Sequence, residues 1–263
     1  MAALRLPGKR GTAVEELRIT SRKNEKLQQV KKLFASKKAR EEAGMFVSDG
    51  CKLLSEAVRY CQGLTTVILS DGVEAEVPEG VEILRVPEDV MASISPMESP
   101  QGAIFLCKLP EKQPFQAKPG MLLLDGIQDP GNLGTILRTA DALDVPVALL
   151  EGCADPYSHK VVRASMGAVL RTQVVQCTWD EAREKCREAG IPIGVTALSD
   201  RAEDIRKASL EALAVVIGSE GQGVRREILE NADAQLIIPM SPHCESLNAA
   251  VAATIVMWQM TRL

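Results

Sequence analysis

The amino-acid sequence predicts an α/β fold in which helices cover both faces of a parallel sheet. In the second half of the chain, short apolar runs such as AVVIG and LIIPM alternate with segments of helical periodicity. Continuous apolar strands separated by helices are typical of parallel sheets that are buried on both faces. With 263 residues, 46% of them hydrophobic, the chain is long enough for one large or two modest domains.

The segment 121–143, MLLLDGIQDPGNLGTILRTADAL, is the clearest unit of this pattern. Residues 121–125 form an apolar run of strand length, and a loop rich in Gly, Asp and Pro follows. Ile136, Leu137 and Ala140 then recur at helical spacing. The segment therefore predicts a strand, a loop and a helix, with the loop at the carboxyl end of the strand, where open α/β sheets bind ligands.

The rest of the second half continues the alternation. Further strands are predicted at 145–150, 172–177, 191–197, 213–218 and 234–240. Helices are predicted at about 133–143, 159–169, 180–189, 225–231 and 248–261, and a further short helix between 198 and 212. Residues 121–263 are therefore predicted to form one parallel α/β domain.

The first half predicts a smaller α/β domain over residues 21–109. After a flexible lead at 1–20, an amphipathic helix is predicted from Ser21, with lysines around its apolar face. The elements that follow are strands at 45–47, 66–69, 81–86 and 103–109 and helices at 51–60 and from Pro87. Residues 110–120, PEKQPFQAKPG, hold three prolines without apolar periodicity, which predicts a semi-rigid linker.

Charge is distributed unevenly along the chain. Residues 1–44 contain 12 Lys and Arg against 5 Asp and Glu, so this segment carries +7 and the remainder carries −11. Such an asymmetry indicates a polyanion, such as a nucleic acid, as the partner of the N-terminal part, chiefly of residues 21–40. The plain alternative is a solvated helix face preceded by a basic tail.

Signals for export, membrane insertion and metal binding are not found in the sequence. The first twenty residues have no apolar core of signal-peptide length, and the apolar stretch 249–260 is too short to span a bilayer. We therefore expect a soluble, cytoplasmic protein. The seven cysteines form no C-x-x-C pair, so we expect reduced core thiols and neither a zinc site nor a disulfide framework.

Three loops with polar side chains follow the first, fifth and sixth predicted strands of the second half. They read DGIQDPGNLG, IGSEGQGV and IPMSPHCESLN, and each precedes a predicted helix whose first amides lack partners. Neither the dinucleotide fingerprint G-x-G-x-x-G nor the phosphate loop G-x-x-x-x-G-K-[ST] occurs after the first strand. We expect the three loops to form one pocket of another kind.

These loops closely resemble the three motifs of the SpoU-type, or TrmH-like, RNA ribose methyltransferases of the SPOUT class. The segment HKVVRASMGAVLR at 159–171 is similar to the connecting helix of that family. The resemblance covers residues 121–263 and implies a C-terminal trefoil knot, an S-adenosylmethionine site and a homodimer that completes the RNA site. It also implies that residues 21–109 are a substrate-binding extension similar to a small ribosomal RNA-binding protein.

The resemblance also implies roles for individual residues. One departure from the family is the pair Ala249-Ala250, where a valine and a serine or alanine are usual; this affects helix packing only. The catalytic set carried over from the motifs is Asn132, Arg138, Glu220, Ser246 and Asn248. The residues implied to hold S-adenosylmethionine, largely through their backbone groups, are Thr196, Gly218, Ile238 and Leu247.

The implied chemistry constrains the role of Arg138. Methyl transfer to a ribose 2′-hydroxyl is an in-line displacement that requires no metal, and the protein must align two partners and remove a proton. A guanidinium is effectively always protonated, and lowering its pKa by roughly five units would cost about 7 kcal/mol. We therefore predict that Arg138 clamps an RNA phosphate and stabilises the developing alkoxide, while the phosphate or water shares the proton removal.

Four of the five catalytic candidates also have a purely structural interpretation. Asn132, Ser246 and Asn248 lie where helix N-caps occur, a role worth about 1 kcal/mol. Glu220 is either a residue that orients a neighbour and offsets positive charge near the sulfonium or a solvated loop glutamate. His159 and His243 do not form a pair that predicts a nucleophilic triad.

Three functions are consistent with these patterns. The first is ribose 2′-O-methylation of ribosomal RNA with S-adenosylmethionine as the methyl donor. The second is the same chemistry on transfer RNA, because the motif residues define the reaction and not the target. The third is a non-catalytic RNA-binding or ribosome-assembly protein that retains the fold, which the intact motif residues disfavour.

Overall fold

The computed structural model describes residues 16–199, 201–219, 221–241, 243–244 and 246–261. Within these ranges the chain forms a five-stranded and a seven-stranded sheet, both accompanied by helices. Over the same ranges, no helix combines the length and the apolar character that crossing a membrane requires.

The five-stranded sheet is built from the first half of the chain. Its strand order is β1-β4-β3-β5-β2, with β2 and β3 antiparallel to β5 and the other pairs parallel. The strands are β1 Glu16–Arg18, β2 Met45–Asp49, β3 Leu64–Ser70, β4 Glu82–Val86 and β5 Ala103–Lys108. The helices are α1 Glu25–Ala35, α2 Lys37–Ala43, α3 Cys51–Tyr60 and α4 Glu88–Ile94.

The N-terminal edge strand corrects one expectation. Residues 1–15 lie outside the described residues, but 16–18 form β1, whereas the sequence predicted a flexible lead up to residue 20. The strand pairs with β4, and Glu16 and Arg18 form ion pairs with Arg85 and Asp71. Three exposed residues carry no periodicity, so this pairing follows from tertiary contacts alone.

The seven-stranded sheet is parallel throughout, which confirms the predicted α/β fold. Its strand order is β10-β12-β9-β11-β6-β7-β8. The strands are β6 Met121–Leu124, β7 Val147–Leu149, β8 Val175–Gln176, β9 Ile193–Thr196, β10 Glu203–Asp204, β11 Ala214–Ile217 and β12 Ala234–Ile237. Six of them lie where strands were predicted.

Helices cover both faces of this sheet. On β6, Leu122 and Leu124 belong to the core packed by α5, α6 and α9, whereas Met121 and Leu123 belong to the core packed by α7 and α8. This alternation follows from the two-residue period of a strand. The helices are α5 Pro130–Leu143, α6 His159–Ala164, α7 Trp179–Ala189, α8 Arg226–Asn231 and α9 Ala249–Met260.

Two predicted helices of the second half differ from the structure, and the helix predicted from Ser21 begins at Glu25 and is divided at Ser36 into α1 and α2. The helix predicted at 159–169 ends at Ala164, and a 3-10 turn occupies 168–170. Met166 and Gly167 separate the two with φ values of 49° and 81°, which an α-helix does not accommodate. The helix predicted between 198 and 212 is a 3-10 turn at 210–212, preceded by β10.

The two sheets pack against each other through the segment 155–171. Arg40 of α2 is 5% exposed and bonds both Asp155 and the Leu33 carbonyl, while Arg163 bonds the buried Asp49. One apolar core cluster contains residues of both halves. Arg40 therefore binds the two halves together and is too buried to contact RNA, which corrects its place in the predicted basic surface.

Candidate functional site

The three predicted loops meet because their strands are neighbours. The strands β12, β9, β11 and β6 lie side by side and parallel, so their carboxyl ends share one edge of the sheet. Register places Ile217 beside Leu124 and Leu236 beside Thr196. Loops that follow strands far apart in sequence therefore begin at about the same level of the sheet.

A cavity of about 500 Å³ opens at this edge, at the ends of β9, β11 and β12. The four residues predicted to hold the cofactor, Thr196, Gly218, Ile238 and Leu247, all line it, as does Ser246 of the predicted catalytic set. Apolar and small side chains complete the wall, including Leu198, Leu229, Met240 and Ala252. We call it the apolar cavity.

A tight turn between Ser219 and Gly223 forms one wall of the apolar cavity. The Ser219 N–H donates to the Gly223 carbonyl at 3.1 Å, and the Gly223 N–H donates back to the Ser219 carbonyl at 2.9 Å. Gly218 precedes the turn, and a Cβ there would lie 2.1 Å from the Gly223 carbonyl carbon. Only glycine allows the chain to close so tightly at position 218.

Asn132 and Asn248 contact each other, which joins the first and third loops. The Asn248 Nδ2 donates to the Asn132 Oδ1 at 3.0 Å, across 116 positions of sequence. Two of the five predicted catalytic residues are thus in direct contact. Because Ser246 and Leu247 line the apolar cavity, this amide pair lies at its border.

The helix-cap interpretation holds for only one of the three candidates. Asn248 caps α9, since its Oδ1 accepts from the N–H groups of Ala250 and Val251. The cap of α5 is Asp129, whose Oδ1 accepts from the Asn132 N–H at 2.8 Å. Asn132 is therefore inside α5 and Ser246 lies before the α9 cap, so neither is a cap. Asn248 combines a cap with a bond to Asn132.

A second, more polar cavity of about 910 Å³ lies beside the first, at the ends of β6, β7 and β11. We call it the polar crevice. Gln128, Asn132, Glu151 and Gln222 line it, and the turn between Ser219 and Gly223 separates it from the apolar cavity. Because both cavities share that wall, two ligands bound in them would be neighbours.

An ion-pair network that the sequence did not predict forms the floor of the polar crevice. The Arg225 Nε and backbone N–H donate to the two carboxylate oxygens of Asp125 at 2.7 and 2.8 Å. The Arg225 Nη2 donates to Glu151 at 2.8 Å. No periodicity connects positions 100 residues apart, and the only sequence signal is an arginine just after the second glycine loop.

Electrostatics favour the charged forms in this network. Partial burial opposes the charge of Glu151, but N–H groups and Arg225 outweigh it, so the pKa of Glu151 is lowered. Burial likewise opposes the charge of Arg225, and the bonds to Glu151 and Asp125 leave the pKa of its guanidinium raised. Both shifts favour the charged forms of Glu151 and Arg225, which stabilises their ion pair.

Two other predicted catalytic residues are not placed in these cavities. Arg138 is exposed on α5, about 9 Å along the axis and about 120° around it from Asn132, and no described residue forms an ion pair with it. It lines neither cavity of its own chain. Glu220 lies outside the described residues.

Within the described ranges, no group of three or more His, Cys, Asp or Glu side chains is arranged to hold a metal ion. His159 packs edge-on against Phe34, and burial lowers its pKa. All seven cysteines are free; Cys107 and Cys186 are the buried thiols expected from the sequence, whereas Cys51 and Cys244 are exposed.

Comparison with known proteins identifies the family. Residues 119–258 match the SpoU rRNA methylase family, and residues 24–104 match the MRM3-like substrate binding domain. The 23S rRNA (guanosine(2553)-2′-O)-methyltransferase RlmP of Bacillus subtilis is 32% identical over 92% of this chain and 98% of its own.

Solved structures agree with this match. A putative RNA methyltransferase of the TrmH family from Porphyromonas gingivalis superposes with a TM-score of 0.78 at 32% identity, covering 89% of this chain and 96% of its own. The AdoMet-bound rRNA methyltransferase from Sinorhizobium meliloti superposes with a TM-score of 0.81 at 27% identity, covering 93% and 97%. The chain belongs to the SpoU rRNA methylase family.

Proposed function

We propose that this protein transfers a methyl group from S-adenosylmethionine to a ribose 2′-hydroxyl of ribosomal RNA. The single observation that carries the proposal is the bond between Asn132 and Asn248 at the border of two adjoining cavities. Methyl transfer needs two substrates held side by side, and this arrangement offers one compartment for each.

The apolar cavity suits the methyl donor. Its volume of about 500 Å³ falls within the range of small-molecule sites, and its wall alternates apolar side chains with exposed backbone at Gly218 and the turn. Thr196, Ile238 and Leu247 would complete the contacts. When bound there, S-adenosylmethionine supplies a methyl group on a positively charged sulfonium, which is a good leaving group because it becomes a neutral thioether.

The polar crevice suits the target nucleotide. Gln128, Asn132 and Gln222 offer amide donors and acceptors that match ribose hydroxyls and base edges. The 2′-hydroxyl would lie at the shared wall, where the Asn132 and Asn248 amides orient its oxygen. Ser246 can donate and accept in the same network.

Removal of the hydroxyl proton completes the reaction. As the oxygen–carbon bond forms and the sulfur–carbon bond breaks, the hydroxyl proton passes to an RNA phosphate or water. Arg138 would hold that phosphate and stabilise the developing alkoxide through its charge. Glu220 would orient a neighbouring group near the sulfonium.

A homodimer accounts for the exposed position of Arg138. In the proposed knotted dimer, Arg138 of one copy reaches the cavities of the other. Val251 and Trp258 are seven residues apart on α9 and therefore lie on the same face of the helix. Both are exposed, so this face offers an apolar stripe to a second copy. The trefoil knot and a cytoplasmic location are parts of the same proposal.

Mixing two inactive variants tests the dimer. Arg138→Met retains its own Asn248, and Asn248→Ala retains its own Arg138, so a mixed dimer rebuilds one complete site only if Arg138 acts on its partner. Refolding the two together should restore about one quarter of wild-type methylation, since half of the dimers are mixed. No restoration, or a monomeric wild-type protein in light scattering, contradicts the proposal.

The first half of the chain would hold the RNA. Lys23, just before α1, and Lys32, on α1, are exposed. Lys26 forms an ion pair with Glu82 instead. Lys23→Gln/Lys32→Gln should weaken RNA binding and reduce the salt dependence of log K by about 0.7 to 0.9 per lysine that contacts a phosphate. An unchanged salt slope places the RNA elsewhere.

Two measurements test the reaction itself. Calorimetric titration with S-adenosylmethionine should show binding, and tritium transfer should label 23S ribosomal RNA at ribose. Labelling of transfer RNA alone would change the substrate and keep the chemistry. Absence of binding would favour the non-catalytic RNA-binding function.

A further inference from the structure

We infer that Arg225 is a positioning residue, which fixes the wall between the two cavities and thereby aligns methyl donor and acceptor. The inference rests on the proposed methyl transfer and assigns Arg225 no contact with either substrate. Three sets of contacts carry it: those to Asp125, those to Glu151, and those that anchor the turn between Ser219 and Gly223.

Both carboxylate oxygens of Asp125 bond Arg225. Its carboxylate is 1% exposed, and both oxygens accept bonds from the same arginine, one from the side chain and one from the backbone. The Asp125 N–H donates to the Ile217 carbonyl at 2.8 Å, so this residue is held by β11 as well. Asp125 thus begins the first loop from a fixed point, seven residues before Asn132.

Glu151 extends the network to a third strand end. It follows β7, accepts from the Arg225 Nη2, and accepts from the Trp179 N–H at 3.2 Å at the start of α7. A guanidinium can bond Asp125 with Nε and Glu151 with Nη2 at once, because its donors point in fixed, different directions. An ammonium group offers no such fork. Arg225 therefore ties the ends of β6, β7 and β11 together.

The turn is anchored at both ends by these contacts. Before it, Gly218 continues β11; after it, Val224 leads directly to Arg225. Because the turn is the wall shared by both cavities, a shift of Arg225 would move that wall relative to Asn132. Misplacement of reacting groups by about 1 Å can cost about a hundredfold in rate.

Three variants separate positioning from folding. Arg225→Lys keeps the charge and removes the fork, and Arg225→Met removes both. Arg187→Met on α7 removes an exposed arginine that pairs with Glu184 of the same helix. We expect Arg225→Lys to lower kcat for 23S ribosomal RNA by about tenfold or more. The dissociation constant of S-adenosylmethionine should change by less than about threefold, because most of the apolar cavity is built by other strands. Arg187→Met should match wild type.

Hydrogen exchange gives a readout that does not depend on activity. Peptides covering 218–224 should exchange faster in Arg225→Lys and Arg225→Met than in wild type and Arg187→Met. Unchanged exchange there, or a kcat within about twofold of wild type, overturns the inference. The inference is also overturned if thermal unfolding shows that activity falls only in proportion to the fraction of protein that remains folded. A wild-type protein that neither binds S-adenosylmethionine nor labels RNA instead refutes the proposed function.

Discussion

At the residue scale, the side chain of Asn248 combines a helix cap with a contact between two loops. Its oxygen accepts two backbone N–H groups at the start of α9, and its nitrogen donates to Asn132. The two ends of the amide have different partners, so a substitution can remove one function and retain the other.

Asn248→Asp makes that separation. Aspartate caps a helix about as well as asparagine, so the free energy of unfolding should stay within about 0.5 kcal/mol of wild type. Because the carboxylate cannot donate to Asn132, methylation should fall by about tenfold or more. Urea unfolding and single-turnover assays measure the two effects. Near-wild-type activity would mean that Asn248 is only a cap.

Arg138→Lys tests whether the planar guanidinium is required. Lysine keeps the charge and loses the two parallel donors that suit a phosphate, so kcat should fall by about tenfold or more while S-adenosylmethionine binding is unchanged. Steady-state kinetics and calorimetry measure these quantities. If turnover persisted with unchanged RNA affinity, the clamp role of Arg138 would be wrong.

At the element scale, close approaches between segments determine the shape of the site. A Cβ at Gly134 would lie 2.4 Å from the Cβ of Ala164, so glycine lets α5 pack on α6 and places Asn132. Gly218 is needed in the same way at the turn. A Cβ there would meet backbone atoms of Gly223 and Val224, which cannot rotate away.

Gly218→Ala should therefore destabilise the protein and Gly221→Ala should not. The added methyl group at 218 meets backbone at 2.1 Å, whereas nothing lies within 4 Å of a Cβ at 221. We expect a loss of about 1–3 kcal/mol for Gly218→Ala and about zero for Gly221→Ala in urea unfolding. Equal stabilities would show that the turn relaxes freely.

At the scale of the whole molecule, the two halves are joined by buried contacts as well as by the linker. Phe115 of the linker is 3% exposed and packs in the core near Met121. Across the interface, Phe46 contacts Tyr157, and Arg171 bonds both Glu56 and Asp141. The first half of the chain thus has a defined position relative to the two cavities of the second half.

Asp155→Asn, at the contact between the two halves, should lower the free energy of unfolding far more than Asp71→Asn, at a surface ion pair. The side chains of Arg40 and Asp155 are 6% and 14% exposed, so loss of the carboxylate leaves a buried positive charge. This should cost about 3 kcal/mol, against less than about 1 kcal/mol for the exposed pair of Arg18 and Asp71. Similar losses in both variants would contradict a buried interdomain contact.

Several features were predictable from the sequence because they depend on neighbours along the chain. Apolar runs and helical spacing predicted the parallel sheet and its main helices, and composition predicted the basic first segment. The motifs predicted the loops that line the two cavities, since Gly218 and Asn132 occur in short recognisable patterns.

Other features were decided only by tertiary structure, because they join residues far apart in sequence. The bond between Asn132 and Asn248, the bonds between Arg225 and Asp125, and the burial of Arg40 depend on strand order and on contacts across a hundred positions or more. Charge composition made Arg40 resemble an RNA contact, but a guanidinium beside Asp155 in the interior binds protein instead. Periodicity reports which face of an element is apolar, and only packing selects what each polar side chain meets.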